Sequence, residues 1–261
     1  MQETMTSLSW VLNLRRLILL AVLLSCWEFA SRFILDKTQA TLLPPPSGVL
    51  AGAVELTASG ELWKHIRDSL RREFIAFCYA SVAIPLGVLM GCFKWINEQV
   101  DPIVEILRPI PPIAWIPLSI LWFGVGNTQN QFIIFLGIFF PILLNTIDSV
   151  KNVEPNLIRA ARCLGATGWS VITRVILRAA LPQIVTGIRI GLGVGWMALV
   201  AAELVGANSG LGFLINDART VLRTDFILDG MIAIGLIGLI IDRIIRIAAR
   251  HLMPWSRSLN N

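Results

Sequence analysis

The sequence RAARCLGATGWSVITRVILRAALP, at residues 159–182, decides how the chain is interpreted. It lies between two long apolar runs, yet it is polar and contains glycine and proline. Its basic residues are Arg159, Arg162, Arg174 and Arg178. The flanking runs approach the roughly 20 apolar residues that cross a lipid bilayer. The segment is therefore predicted to be a loop that joins two membrane-spanning helices.

The composition of the whole chain indicates a membrane protein. Of its 261 residues, 55% are hydrophobic and 15% are charged, whereas a soluble domain carries about 25% charged residues. The net charge of +5 does not indicate nucleic-acid binding, because the basic residues are scattered through loops between apolar runs. The four cysteines lack metal-ligand spacing, and the two histidines are isolated. We therefore expect no metal site and no nucleic-acid partner.

Apolar runs along the chain predict an all-α membrane protein with about six transmembrane helices. The runs cover 15–35, 70–93, 102–124, 130–149, 184–206 and 227–248. Arg15 and Arg16, ahead of the first run, resemble the start of a signal peptide. However, the apolar character continues to Leu35, and Glu28 and Arg32 are four residues apart, which favours a continuous helix. We expect the first span to be retained.

The third run is irregular. The sequence RPIPPIAWIPLSILWFG contains Pro109, Pro111, Pro112 and Pro117, and each proline removes a backbone donor and resists a straight helix. Such a segment is tolerated at membrane depth where protein or a water-filled cavity satisfies the freed carbonyl groups. We interpret it as a helix break that faces a transport path. A structural kink or a short interfacial helix is the alternative.

Small residues recur at three- or four-residue spacing in two other runs. This spacing allows helix backbones to approach closely in lipid. In the second run the small residues are Ala76, Ala80, Ala83, Gly87 and Gly91. In the fifth run they are Gly187, Gly191, Gly193 and Gly195. Close helix packing is expected along both runs.

The distribution of Lys and Arg predicts the orientation of the chain. With the N-terminus inside, more basic residues lie in or beside the inner segments than the outer ones, although a basic cluster at 64–72 falls outside. Both termini and the loop at about 150–183 are therefore predicted to be cytoplasmic. We predict an N-terminal part at 1–69, with one span and an outer amphipathic segment, a core domain at 70–250 and a tail at 251–261.

The segment at 159–182 resembles the cytoplasmic EAA loop of the membrane subunits of ABC importers, which docks on a separate ATPase. The family pattern is Glu-Ala-Ala, three residues, Gly, nine residues, then Ile-x-Leu-Pro. Arg159 stands at the Glu position and Arg178 at the Pro position. The positions that fit, with valine as a conservative replacement for isoleucine, are Ala160, Ala161, Gly165, Val175 and Leu177.

Three further stretches resemble the branch of this family that imports nitrate, sulfonate, taurine and bicarbonate. They are RPIPPIAWIPLSILWFGVGN at 108–127, FPILLNT at 140–146 and GIRIGLGVGWMALVAAELVGANSGLGFLI at 187–215. The resemblance implies a type I ABC importer permease fold in a bacterial inner membrane, with a second permease copy, as a homodimer, around a central path. It also implies two separate ATPase subunits that bind ATP and magnesium, and a periplasmic or lipid-anchored substrate-binding protein.

The resemblance further implies which residues of the loop contact the ATPase. They are Arg159, Ala160, Ala161, Arg162, Leu164, Gly165 and Ala166. Small side chains permit close docking, and Gly165 can supply a turn that bulkier residues cannot. The arginines at 159 and 178 predict an acidic groove on the partner. Basic residues that only hold the loop inside are the alternative.

Candidates for the transport path are polar residues that are costly in lipid unless they face protein or water, together with the proline break and nearby indole rings. They are Arg108, Pro111, Pro112, Trp115, Trp122, Asn145, Arg189, Trp196 and Glu203. An arginine would attract an anion such as sulfonate, nitrate or bicarbonate. Alternatively, Arg108 and Arg189 extend to the inner interface, and the tryptophans anchor the helices there.

Missing motifs agree with a permease that works with partners. The chain has no G-x-x-x-x-G-K-[ST] phosphate loop and neither H-E-x-x-H nor G-x-S-x-G. We expect it to have no catalytic residue and to bind no cofactor. Two other classes of protein stay open, a membrane scaffold subunit and an ion-coupled secondary transporter. A secondary transporter is expected to bury acidic residues at mid-membrane. The acidic residues that approach the predicted spans are only Asp148, Glu203 and Asp242. The proline-rich segment also resembles permeases for thiamine-precursor pyrimidines.

Overall fold

The computed structural model of the protein describes residues 18–34, 36 and 41–253. Arg15, Arg16 and most of the predicted tail at 251–261 lie outside the described residues. The described part is helical, and it contains no strand. Its helices, in chain order, are α1 (18–34), α2 (Pro46–Ala58), α3 (Glu61–Ala80), α4 (Ala83–Cys92), α5 (Lys94–Leu107), α6 (Pro112–Phe123), α7 (Asn127–Lys151), α8 (Pro155–Cys163), α9 (Gly168–Gly206), α10 (Leu211–Thr220) and α11 (Thr224–Leu252).

Four helical segments of the described chain are long and apolar enough to cross a membrane. They are α3 with α4 (Glu61–Cys92), α7, α9 and α11. A fifth candidate consists of α5 and α6, which meet at an angle of 83°. The bend coincides with Pro109 and Pro111, because neither residue can donate the backbone hydrogen bond that would continue α5. The predicted break in the third run is therefore a sharp bend.

The contacts of the chain divide it into two compact units. The small unit contains the described residues up to Trp63 together with Leu214–Ile232, and the large unit contains Lys64–Phe213 and the described residues from Ala233 onward. Helix α7 forms the centre of the large unit, where it packs against both α9 and α4. Its fully buried apolar residues include Ile133, Ile134, Ile138, Ile142 and Leu143.

The close approach of α9 to α7 depends on glycine at every fourth position of α9. A Cβ atom added to Gly191 would lie 2.9 Å from the carbonyl oxygen of Ile138, and one added to Gly187 would lie 2.6 Å from a side-chain atom of α7. A Cβ on Gly195 would overlap the Ile138 side chain. Gly193 has nothing within 4 Å. The predicted close packing is confirmed for Gly187, Gly191 and Gly195, but not for Gly193.

The small residues of the second run pack in the same way. Gly87 of α4 lies against Thr146 of α7, and Gly91 lies against Val150. Further along the same face, the buried small residues are Ala76, Ala80 and Ala83. Gly87 and Gly91 bring the backbone of α4 close to α7, so the prediction of tight packing is confirmed at these two positions.

Ion pairs stabilise the small unit. Glu28 and Arg32 of α1 are 2.5 Å apart, which agrees with the predicted pairing along one helix. Arg223 lies 2.8 Å from carboxylate oxygens of both Asp225 and Glu55. Hydrogen bonds to Asp225 and then Glu55 raise the pKa of Arg223 above its ordinary value. The guanidinium therefore stays charged and links α2 to the start of α11.

Replacing Gly191 by alanine tests the contact between α7 and α9. The added Cβ must displace the backbone of α7, so we expect the free energy of unfolding to fall by about 1–3 kcal/mol. The measurement is thermal unfolding of the purified protein in detergent. Gly193→Ala is the matched control, because it adds the same atom to the same helix in open space and should leave stability unchanged or slightly higher. Equal stability of the two variants would contradict the packing argument.

Candidate functional site

The segment predicted to contact a partner forms α8 and the turn after it. Pro155 occupies the start of α8, where its missing N–H has no intrahelical partner to lose. Ile158 points from α8 into an apolar cluster shared by the end of α7 and the start of α9. The buried members of this cluster are Val150, Val153, Ala180 and Ile184. Helix α8 is therefore held against both long helices by its apolar face.

Gly165 ends α8 with a left-handed turn. Its φ angle is 84°, a conformation that costs most other residues free energy. The N–H of Gly165 donates to the carbonyl of Arg162, and the N–H of Ala166 donates to that of Ala161, both at 3.0 Å. This pattern satisfies the last carbonyl groups of the helix. A Cβ at residue 165 would meet no atom within 4 Å, so the backbone conformation is what favours glycine.

The outward face of this segment is basic and apolar. The side chain of Leu164 is 88% exposed and that of Trp169 is 67% exposed. Within the described part of the chain, its exposed arginines make no hydrogen bond or ion pair. These arginines are Arg159, Arg162, Arg174 and Arg178. We name the exposed residues from Arg159 to Trp169 the coupling surface. Exposed apolar side chains beside free cations are typical of a protein interface.

The coupling surface is joined directly to a long helix. Helix α9 runs from Gly168 to Gly206, with a π-helical stretch at Ile172–Ile176. The hydroxyl of Ser149 in α7 donates to the carbonyl of Ala180 in α9 at 2.7 Å. This bond joins α7 to α9, and the apolar cluster around Ile158 connects α8 to both helices.

The proline bend positions several of the predicted path residues. Arg108 follows the last residue of α5, and its side chain is exposed. Pro111 precedes a single 3-10 turn that starts at Pro112. The rings of Trp115 and Trp122 are 6.4 Å apart. Both rings also contact Phe132 of α7, at 6.4 Å and 6.1 Å between centroids. The two tryptophans thus belong to one aromatic cluster that fixes the bend against α7.

Three other predicted path residues are bound to neighbouring groups. The Asn145 amide donates to the carbonyl of Pro141, one turn earlier in α7, at 2.8 Å. The indole N–H of Trp196 donates to the carbonyl of Ile234 in α11 at 3.2 Å. Arg189 of α9 lies 2.5 Å from a carboxylate oxygen of Asp242 in α11. A second arginine, Arg246, also donates to Asp242, at 2.9 Å from Nε.

Glu203 lies in a buried ion pair with Arg72. Arg72 Nη1 is 2.6 Å from Glu203 Oε1, and the two side chains are 6% and 0% exposed. The hydroxyl of Ser69 donates to the carboxylate at 2.9 Å, and the backbone N–H of Gly212 donates to Oε2 at 2.9 Å. A buried charge pair is tolerated only when such additional hydrogen bonds satisfy it. The geometry therefore fixes α3, the end of α9 and the start of α10 together.

Arg72 also holds the loop that follows α9. Its guanidinium donates to the carbonyl oxygen of Ser209 at 2.7 Å and to the Ser209 hydroxyl at 2.9 Å. Its Nε donates to the side chain of Asn127, the first residue of α7, at 2.8 Å. The backbone N–H of Gly210 donates to His65 Nδ1 at 3.0 Å. One arginine thus organises the ends of three helices.

The structure does not gather the predicted path residues into one site. Arg189 and Glu203 lie on the same helix, roughly 21 Å apart at 1.5 Å per residue. Arg189 belongs to the group with Asp242, whereas Glu203 belongs to the group with Arg72. Their role in a transport path stays a prediction.

The sequence interpretation missed the roles of Ser69 and Arg72, because it counted the basic cluster at 64–72 on the outer side and began the second run only at residue 70. In the structure α3 begins at Glu61 and includes both residues. A helical pattern was available to find them. Ser69, Arg72, Ala76 and Ala80 are spaced by three or four residues, and all are buried. They continue the face on which the small residues of the second run lie.

The interpretation that only Asp148, Glu203 and Asp242 approach the spans is wrong. Glu73 of α3 is 4% exposed and Asp229 of α11 is 5% exposed, and both helices are candidate spans. Both residues fall inside predicted runs, Glu73 in 70–93 and Asp229 in 227–248, close to the start of each run, and the interpretation overlooked them there.

Comparison with known proteins places these features in context. Residues 83–258 match the family described as binding-protein-dependent transport system inner membrane component. The chain is 41% identical over 242 residues to the taurine transport system permease protein of Escherichia coli, an alignment that covers 90% of this chain and 87% of that protein. It is 33% identical over 199 residues to the nitrate import permease protein of Leptolyngbya laminosa, with 76% and 71% covered.

A solved structure has a similar fold. It is described as an inward-facing conformation of the MetNI methionine ABC transporter. The match has a TM-score of 0.59 and 25% sequence identity, and it covers 74% of this chain and 98% of that chain.

Removing the carboxylate of Glu203 tests the buried ion pair. Glu203→Ala leaves the Arg72 charge buried without its partner, so we expect a loss of about 3–5 kcal/mol in the free energy of unfolding. The exposed pair Lys94–Glu98, 3.5 Å apart, supplies the control: Glu98→Ala should cost less than about 1 kcal/mol. Exchanging the charges, with Arg72→Glu and Glu203→Arg, should not restore stability, because the Gly212 N–H would then lack an acceptor. A full rescue would show that only the pairing of charges matters.

Proposed function

Since this chain belongs to the family of binding-protein-dependent transport system inner membrane components, we propose that it forms the path by which a small anion crosses the membrane and that separate ATPase subunits drive it through the coupling surface. The chain is the membrane-embedded permease subunit of an ABC importer. The predicted all-α fold of the type I importer permeases is confirmed.

The observation that carries this proposal is the exposure of the coupling surface combined with its firm attachment. Leu164 and Trp169 project outward, while Ile158 on the opposite face of α8 is held in the apolar cluster. A surface that docks on a moving partner needs both properties. It must offer contacts to the partner, and it must not yield when the partner moves. The residues proposed to make those contacts are Arg159, Ala160, Ala161, Arg162, Leu164, Gly165 and Ala166.

The charge of the coupling surface suggests the character of the ATPase groove. Arg159 and Arg162 are exposed and unpaired within the described chain, as are Arg174 and Arg178. Complementary potentials steer association and reject wrong partners. We therefore propose an acidic groove on the ATPase. The arginines at 159 and 178, which replace the Glu and Pro of the family pattern, would make this pairing specific to the cognate ATPase.

The attachment of α8 supports a lever mechanism. When two ATPase subunits close on ATP, the coupling surface moves with them. Helix α9 follows because it continues from the coupling surface, and α7 follows because the glycine face of α9 leaves no room for sliding between the two backbones. The path then opens toward the other side of the membrane. ATP binding favours one of two packed arrangements of the helices over the other. A shift in population between two such arrangements is sufficient for the mechanism.

The names of the relatives support an anionic substrate. One relative is a taurine permease and another a nitrate permease; both compounds carry an anionic oxygen group. Candidate contacts on the path remain Arg108, Arg189 and the residues of the proline bend. Arg189 would meet an anion only if the anion competes with Asp242 for its guanidinium. We further propose that two copies of the chain enclose the path and that a substrate-binding protein delivers the anion from outside.

Reversing the charge of Arg159 tests the docking proposal. Arg159→Glu places a carboxylate opposite the proposed acidic groove, so we expect the affinity for the ATPase to fall about tenfold or more. ATP-driven uptake in proteoliposomes should fall in parallel. The measurements are co-purification of the ATPase with this chain and substrate-stimulated ATP hydrolysis.

Arg250→Glu serves as the control, because Arg250 is also exposed and predicted to lie inside but is remote in sequence from the coupling surface. It should leave assembly and uptake unchanged. If Arg159→Glu assembles and transports like the unmodified protein, the acidic groove is wrong. If the unmodified chain takes up substrate without any ATPase, the whole proposed mechanism fails.

A further inference from the structure

A polar cavity lies beside the buried Arg72–Glu203 pair in the large unit. Its volume is about 150 Å³, well above the roughly 15 Å³ that one water molecule requires. A small ion of several heavy atoms therefore fits. The residues that line the cavity are Asp68, Arg71, Arg72, Asn127, Gln131 and Ser209. All of these side chains are polar.

Arg71 provides a free cation at this cavity. Its side chain is exposed, and it makes no hydrogen bond or ion pair within the described part of the chain. Its five N–H donors are thus available for a ligand. Arg72 lines the cavity next to Arg71 in a fixed position, because hydrogen bonds to Glu203, Ser209 and Asn127 hold its guanidinium in place. A mobile arginine beside a rigid one suits the capture of an oxyanion.

The start of α7 adds a second source of positive potential. Asn127, which lines the cavity, is the first residue of this 25-residue helix. The preceding residue, Gly126, has no side chain, and no side-chain cap bonds the first backbone N–H groups. The amino end of a helix carries a partial charge of about +0.5 and favours anions. The helix end and Arg71 act on the same space.

The charges around the cavity favour an anion with a single charge. Glu203 neutralises Arg72, and Asp68 is the acidic residue that lines the cavity. Asp68 pairs with Arg67, whose Nε lies 3.7 Å from its carboxylate, and the exposed Lys64 lies on the same side of α3 as Arg67 and Arg71. The surplus of positive charge is therefore modest, and Asp68 repels a second negative charge on a ligand.

This arrangement also accounts for an exception in the sequence. The basic cluster at 64–72 falls on the predicted outer side, against the usual excess of basic residues inside. In the structure one member, Arg72, is buried in an ion pair, and another, Arg71, faces the cavity. An anion site at the outer end requires positive charge, and this requirement explains why the basic cluster at 64–72 lies on that side.

We propose that this cavity is a binding site for a small singly charged oxyanion of the sulfonate or nitrate type, at the outer end of the permease. Arg71 and the start of α7 supply the donors, and the Arg72–Glu203 pair keeps the site in shape. As an anion site the cavity stands on its own geometry. Its use as the place where incoming substrate is first held rests on the proposed function.

The test measures anion binding to the purified full-length chain in detergent by isothermal titration calorimetry at low ionic strength, with methanesulfonate as the probe. Arg71→Gln should weaken binding about tenfold or more, the loss expected for one charge-assisted hydrogen bond. Lys64→Gln is the control: it removes one positive charge from an exposed side chain of the same helix that makes no ion pair among the described residues and does not line the cavity, and it should change affinity less than about twofold. Arg71→Lys keeps the positive charge, so its affinity for methanesulfonate should lie between those of the two glutamine variants.

Several results would overturn the site. If Arg71→Gln binds the anion as tightly as the unmodified chain, Arg71 is not a donor to it. An equal loss of affinity in Lys64→Gln would show that only general surface charge matters. Sulfate binding more tightly than methanesulfonate would contradict the preference for a single charge. Arg71 and Lys64 are both exposed, so equal thermal unfolding midpoints for the two glutamine variants will exclude a folding defect.

Uptake by the complete transporter separates this proposal from the proposed function. In proteoliposomes with the ATPase, Arg71→Gln should raise the KM for methanesulfonate about tenfold with little change at saturation. ATP-driven uptake with an unchanged KM in Arg71→Gln would overturn the site while the proposed function stands. Anion binding that depends on Arg71, in a chain that shows no ATP-driven uptake, would support the site and overturn the proposed function.

Discussion

The contact between the backbones of α7 and α9 is the constraint on which the rest of the large unit depends. Hydrocarbon gives two helices no hydrophobic reason to associate, so close packing and the hydrogen bonds that it permits must hold them. Glycine at 187, 191 and 195 brings α9 against Ile138 and its neighbours on α7. An interface without free space moves as one body. Under the proposed lever mechanism, this property lets α9 carry motion from one end of the unit to the other.

The two ends of α9 are fixed by different kinds of interaction, and the difference suits different tasks. At the start, apolar contacts around Ile158 hold α8 while leaving its outer face exposed, and a hydrogen bond from Ser149 joins α7 to α9. At the end, Glu203 is bound in a buried network of ion pair and hydrogen bonds. Apolar contacts tolerate small shifts, whereas a desolvated ion pair is costly to separate. Apolar packing and one hydrogen bond therefore hold the start of α9, and a buried ion pair holds its end.

Arginine has three distinct uses in this chain, and exposure distinguishes them. Arg72 is buried and structural, with every bond directed to a protein group. Arg189 is half-exposed and bound to Asp242, so a ligand reaches it only by competition. Arg71 and Arg159 are exposed and unpaired within the described chain, which leaves their donors to partners and ligands. A guanidinium group thus holds the fold together when it is buried, is paired within the chain when it is half-exposed, and has free donors when it is exposed and unpaired.

The sequence alone determined the membrane class, the bend at the prolines and most of the small residues that pack between helices. Each of these is a local property of composition or spacing. Only the tertiary structure decided which charges meet, because Arg72 and Glu203 are 131 residues apart and no local pattern connects them. It also decided that α3 starts at Glu61: its charged first turns are typical of a loop until folding places Ser69 and Arg72 against Glu203. Pairing at long range depends on the fold as a whole, and so do the ion pair and the cavity beside it.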